Sequence, residues 1–161
     1  MHLSSSPISI GIVIANYYTP KDTEACIESV LNADHAGLAI HILVIDNSEH
    51  GSPYSHRAAD VYSPAHNIGL GGAWALGYER MLSKGVEYCM FLNSDAILTH
   101  RFFCEIRSAI ELYGDNVVLG PRIVYKSDPG TIWSRGGEIY PRFAIVTVSY
   151  THLTLPTICS V

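Results

Sequence analysis

Residues 8–15 read Ile-Ser-Ile-Gly-Ile-Val-Ile-Ala, nearly continuous in hydrophobicity and rich in β-branched side chains. A strand covered on both faces has this pattern, because neither face meets water. Residues 39–45 repeat it and end in Asp46-Asn47-Ser48, and residues 88–92 repeat it before Asn93-Ser94-Asp95. Residues 60–62 and 117–119 predict two short strands. Between these runs the apolar spacing is helical. Thr19-Pro20 predicts a helix start, with Thr19 as N-cap, Pro20 at the first position and Asp22 approximating a capping box. Ile27, Val30 and Leu31 supply its buried stripe. Residues 64–72 read as a Gly-rich loop leading into a helix over 73–83, where Trp74 and Tyr78 fall at core spacing. A third helix is predicted over 102–113, with Phe103, Ile106, Ile110 and Tyr113 in one stripe.

Strands alternating with helices of this length imply right-handed βαβ units. The expected fold is α/β: an open, mostly parallel Rossmann-like sheet with helices on both faces. After Gly120 the character changes. Residues 124–125 and 138–140 flank Trp133-Ser-Arg-Gly-Gly137 and read as an antiparallel excursion. Trp133 there suits either a pocket floor or a packed hairpin. Residues 143–161 contain no Asp, Glu, Lys or Arg, an association liability wherever a strand of this kind is exposed. Residues 149–161 resemble translated adaptor read-through. That suggests a native part over 1–148, a non-native tail over 149–161 and a parent protein continuing past residue 148. A native C-terminal strand is the alternative.

Composition narrows the function. A chain of 161 residues, 48 % of them hydrophobic, can bury a core and is not globally disordered. A net charge of −5 without any basic block argues against nucleic-acid binding. The four cysteines lack Cys-x-x-Cys spacing and read as free thiols in a reducing, cytoplasmic setting. No run of about 18 apolar residues predicts a spanning helix, and the first residues lack the basic flank of a signal peptide. The apolar balance permits peripheral contact with the inner face of a membrane.

Ligands of open α/β sheets bind outside the carboxyl ends of the strands. Three ends here are polar: Asn16-Tyr17, Asp46-Asn47 and Asn93-Ser94-Asp95. Acids on such a rim, without basic partners, suit a divalent cation shared with an anionic ligand. Asp95 could hold that cation or cap the next turn. Asp46 could accept a hydrogen bond from a base or ribose, or close an Asx turn with Ser48. Asn67-Ile-Gly69-Leu-Gly-Gly72 offers backbone N–H groups to an anion, but lacks the dinucleotide-binding glycine spacing. The histidines show no metal-pair spacing, and His41 and His66 read as structural or solvated.

Assembled in order, these pieces resemble the inverting family-two glycosyltransferases, and within them the rhamnosyltransferase-like group. The matching segments are Ile12-Val-Ile-Ala-Asn16-Tyr17-Tyr18-Thr-Pro20, Ile42-Leu-Val-Ile-Asp46-Asn47-Ser48, Asn67-Ile-Gly69-Leu-Gly-Gly72, Phe91-Leu-Asn-Ser-Asp95, and Gly120-Pro-Arg-Ile123 with Ile132-Trp133-Ser-Arg-Gly136-Gly137. The resemblance implies a GT-A fold, incomplete at the C-terminus, and a nucleotide-diphospho-sugar donor carrying UDP or dTDP. It implies Mg2+ or Mn2+ as cofactor and a saccharide or lipid-linked acceptor. By the same resemblance Asn16 and Tyr17 line the base and Asp46 hydrogen-bonds it. Asn67, Gly69 and Gly72 approach the ribose and diphosphate, Asn93 lies beside the donor, and Asp95 binds the metal. Asn93 stands where many relatives carry Asp, and Trp74-Ala75 replace an Asn-rich continuation. The later Glu-Asp motif, whose Asp is the family's general base, is absent, and no acid follows Glu138. The expectation is therefore the donor half of a transferase, inactive alone. A non-catalytic nucleotide-binding module is the alternative. A nicotinamide-dependent oxidoreductase fits less well, because the first strand leads into Asn-Tyr-Tyr-Thr-Pro instead of a Gly-rich turn.

Overall fold

Long parallel strands form where the sequence is most continuously apolar. They are β1 (Ser9–Asn16), β2 (Ala39–Asp46) and β4 (Tyr88–Asn93), with the short β3 (Asp60–Tyr62) beside β2. The computed structural model describes residues 7–49, 54–114 and 118–134, and the backbone of strands at 137–140, 145–148 and 157–160. Contacts divide the chain into two units, Met1–Leu31 with Gly37–Asp95, and Asn32–Ala36 with Ala96–Val161.

In the first unit β1 to β4 pair in parallel, in the order β3-β2-β1-β4. Ser9 lies opposite Ala39 and Asn16 opposite Asp46; Ile10 lies opposite Tyr88 and Ala15 opposite Asn93. Side chains alternate between faces. Ile10, Ile12, Ile14, Ile42 and Val44 point one way and are buried. The α1 helix (Pro20–Leu31) covers that face with Thr23, Cys26, Ile27 and Val30. Leu31, expected in the stripe, is 37 % exposed. At 100° per residue it sits roughly a quarter turn from the centre set by those four. Thr19 precedes α1 as expected and its carbonyl accepts the Thr23 N–H at 3.0 Å, while its hydroxyl bonds the side chains of Asn16 and Ser94.

The opposite face carries Val13, Leu43 and Ile45, packed against Ala73 and Met81 of α2 (Gly69–Ser83). α2 starts four residues before the expected position, so Gly69–Gly72 form its first turn instead of a loop. The intrinsic cost of glycine in a helix is only about 1 kcal/mol each, and packing of α2 on the sheet outweighs it. Gly77 shows why small residues recur here: a Cβ on it would lie 2.2 Å from Cγ1 of Val13. Gly77→Ala is expected to lower stability by about 1–3 kcal/mol in urea unfolding, since overpacking outweighs the gain of about 1 kcal/mol in helix propensity. Tyr78 is 44 % exposed instead of core, and with half-buried Trp74 it lies against Phe91 at the β4 edge.

The second unit contains β5 (Ile97–Leu98), α3 (Phe102–Tyr113), β6 (Arg122–Tyr125), β7 (Asp128–Ser134), β8 (Gly137–Tyr140), β9 (Ile145–Val148) and β10 (Thr157–Ser160). α3 begins and ends where the sequence predicts. Phe102, Phe103 and Ile110 are its buried residues, while Tyr113 is 52 % exposed near the C-terminal glycine cap. The sheet order is β5-β10-β6-β7, and β8 pairs with β9 in a separate two-stranded sheet. The excursion is antiparallel, but β6 pairs with β7 and β8 with β9, not β6 with β8. Trp133 is 48 % exposed on β7. Residues 118–119 form no strand, and residue 117 lies outside the described residues, as do Gly136 and 149–156. Cys89 and Cys104 form no disulfide among the described residues. No helix among the described residues is long and apolar enough to cross a membrane.

Candidate functional site

The carboxyl ends of β1, β2 and β4 bring the polar residues of the first unit to one rim. Asn16 and Asp46 pair there, 2 % and 3 % exposed, and the Asn16 Nδ2 donates to Asp46 Oδ1 at 2.9 Å. Asp46 Oδ1 also accepts the Ser48 N–H at 3.1 Å, and its Oδ2 accepts the Tyr54 N–H at 3.1 Å. The Asx turn with Ser48 therefore forms. Three N–H donors compensate a carboxylate whose burial alone would cost several kcal/mol. Burial, then the nearby Glu24, Cys26 and Asp46, raises the Tyr54 phenol above its ordinary range.

A carboxylate only accepts, so Asp46 fixes the orientation of the Asn16 amide. The Asn16 Oδ1 then accepts from the Thr19 N–H at 3.2 Å, the Thr19 hydroxyl at 3.2 Å and the Thr23 hydroxyl at 3.0 Å. Beyond that network Tyr17 and Tyr18 stand 53 % and 48 % exposed, in edge contact at 4.7 Å. Tyr18 has φ 55°, the left-handed region that bulky residues avoid. Its N–H is held by the Ser48 hydroxyl at 3.0 Å, and its phenol oxygen accepts the Glu49 N–H at 3.1 Å.

Asn47 turns to the α2 side. It is 4 % exposed; its Nδ2 donates to the Gly69 carbonyl at 3.2 Å and its Oδ1 accepts the Ile68 N–H at 3.4 Å. The exposed Asn67 accepts the Gly69 N–H at 2.8 Å, while Glu49 holds the Asn67 N–H at 3.0 Å. Gly69 has φ +73°, which a side chain would resist. The first-turn N–H groups of Leu70 and Gly71 have no helical acceptor by geometry, since the N-cap is Ile68 and the Gly72 N–H is the first to reach back to the helix. Open space surrounds Gly71, whereas a Cβ on Gly72 would meet Ile68 at 3.1 Å.

At the end of β4, Asn93 and Asp95 are exposed and Ser94 is half-buried. No hydrogen bond or ion pair among the described residues engages the Asp95 carboxylate, and it caps no helix. Hard divalent cations take such oxygens. The described residues hold no group of three or more His, Cys, Asp or Glu that would form a metal cage. One free carboxylate suits a cation whose other ligands are substrate phosphates and water. His41 and His66 are exposed.

Sequence reasoning placed Asn16, Tyr17, Asp46, Asn93 and Asp95 on one rim, and Asn67, Gly69 and Gly72 at the start of α2. It anticipated the Asx turn of Asp46 with Ser48 but missed the tying roles of Thr23, Asn47, Glu49 and Ser94. The spacing of Thr19 and Thr23 by one helical turn was the visible signal for Thr23; nothing local marked the others.

These features define a Rossmann-like α/β domain whose polar residues gather at the carboxyl ends of a parallel sheet. The chain belongs to Glycosyl transferase family 2, whose family model matches residues 9–159. Among solved structures it is similar to S. aureus TarS 1-349, with a TM-score of 0.54, 12 % identity, and coverage of 73 % of this chain and 35 % of that one. S. aureus TarS 1-349 in complex with UDP gives 0.51, 12 %, 73 % and 35 %. At such identity the likeness shows the GT-A fold, and the chain spans about a third of the length of these structures. A comparison with curated proteins finds no match.

Proposed function

We propose that this chain is the donor-binding part of a glycosyltransferase that holds a nucleotide-diphospho-sugar with Mg2+ or Mn2+ for inverting transfer to an acceptor hydroxyl. The observation that carries the reading is the exposed Asp95, unpaired among the described residues, on the rim that also bears the Asn16–Asp46 pair. Tyr17 is placed to line the base. Among the described residues Asp46 Oδ2 accepts one N–H, that of Tyr54, which leaves it a lone pair for a base N–H. Asn67, Gly69 and Gly72 take the ribose and diphosphate side, with Asn93 beside them, and Asp95 holds the cation. When bound there, the cation offsets charge on the departing diphosphate as a Lewis acid.

The motif set favours the rhamnosyltransferase-like branch, a UDP- or dTDP-sugar as donor and a saccharide or lipid-linked acceptor. A structural relative solved with UDP supports that donor chemistry. We assign the donor role to residues 1–148 and place the reaction in the cytoplasm, with peripheral contact at the inner face of a membrane. Inverting transfer also needs a base opposite the leaving group. The proposed share of residues 1–148 in that reaction is to hold the donor.

Calorimetry with UDP and dTDP, in Mn2+ and in EDTA, tests the reading. At least one diphosphate should bind about tenfold more tightly with the cation, as expected when the cation bridges protein and phosphates. No binding of either diphosphate in Mn2+ would refute it.

A further inference from the structure

The Asp95 carboxylate makes no bond of its own among the described residues, so its position must come from its neighbours in the chain. Two contacts anchor the turn that carries it. The Cys26 thiol lies 3.5 Å from the Asn93 carbonyl, and the Ser94 hydroxyl lies 3.2 Å from the Thr19 hydroxyl. The first is weak, because a thiol is a poor donor. The second is the end of a chain whose direction can be worked out. Asp46 can only accept, so Asn16 presents Nδ2 to it and Oδ1 to Thr19. An amide oxygen can only accept in turn, so the Thr19 hydroxyl gives its proton to Asn16. The Thr19 oxygen is then left to accept, and Ser94 is the donor.

Every link therefore points from the β4 turn toward the buried carboxylate of Asp46. Aligned hydrogen bonds of this kind polarise one another in a low-dielectric interior. Residues 19 and 94 are 75 positions apart, and the same hydroxyl pair connects the base side of the rim to its cation side.

We propose that Ser94 and Thr19 are positioning residues for Asp95, and that their hydroxyl contact couples nucleotide binding at Asp46 to cation capture at Asp95. This rests on the donor-binding reading above. Neither residue need touch the cation. The pair fixes the turn so that the acid meets a cation already carried by the diphosphate.

The test reads free Mn2+ by electron paramagnetic resonance as each protein is titrated at saturating UDP. UDP affinity is measured separately in EDTA. Loss of one hydrogen bond should weaken Mn2+ capture about three- to tenfold in Ser94→Ala and in Thr19→Val. Because the two share one contact, the double variant should be no worse than the weaker single variant. Thr19→Ser, which keeps the hydroxyl, should restore wild-type capture. UDP affinity of Ser94→Ala in EDTA should stay within about twofold of wild type. The inference is overturned if Ser94→Ala captures Mn2+ like wild type while Asp95→Ala does not, and the donor reading then stands. It is also overturned if Ser94→Ala loses as much UDP affinity in EDTA as in Mn2+. If the wild-type chain captures no Mn2+ with UDP, the donor reading itself fails.

Discussion

Asp95→Ala is expected to abolish the Mn2+-dependent part of UDP binding and to leave stability unchanged. The carboxylate is exposed and holds no partner among the described residues, so its removal breaks no bond of the folded state. Surface substitutions of that kind usually move stability by no more than about 0.5 kcal/mol. The effect on binding should be large for the same reason: no described cluster of acids or histidines can take over the cation. A cation held by one carboxylate and a diphosphate loses its protein ligand with that acid, and UDP affinity in Mn2+ is expected to drop about tenfold in calorimetry, to the level seen in EDTA. Equal UDP affinity of wild type and variant in Mn2+ would remove the role assigned to this acid.

Asp46→Ala should behave in the opposite way, with a loss of about 3 kcal/mol or more of stability in urea unfolding. Three N–H groups, from Asn16, Ser48 and Tyr54, would lose their acceptor at a position only 3 % exposed. Each buried donor left unsatisfied costs about 1–3 kcal/mol, and water entering the space would return only part of it. The Asn16 amide would also lose the group that orients it, and with it the arrangement of Thr19 and Thr23. A midpoint shift equivalent to less than about 1 kcal/mol would show that these bonds add little. The contrast between the two acids separates a carboxylate that organises the rim from one that the rim displays.

Much of the framework was legible in the sequence. The continuous apolar runs of β1, β2 and β4, and the Thr19-Pro20 start of α1, fixed the parallel sheet and its first helix. The bounds of β3 and α3 followed from composition and spacing in the same way. The start of α2 was not legible, because four residues at Gly69–Gly72 with three glycines oppose a helix locally. Their conformation comes from the packing of Val13, Leu43 and Ile45 on Ala73 and Met81, together with the Asn47 bonds to Ile68 and Gly69. Tyr78 and Tyr113 were read as buried from spacing alone, and both are exposed, since spacing shows a helix face without showing how far its cover extends.

For the site, the sequence by itself determined which strands end in Asn16, Asp46 and Asp95, because a buried strand stops where polar residues begin. Only the tertiary structure decided that Asn16 closes on Asp46, 30 residues away, and Thr19 on Ser94, 75 away. Hydrophobic periodicity is a local property of the chain. The direction of a hydrogen bond, and the choice between a buried acid and a free one, depends on strand register, which sets side chains from distant segments a few ångströms apart.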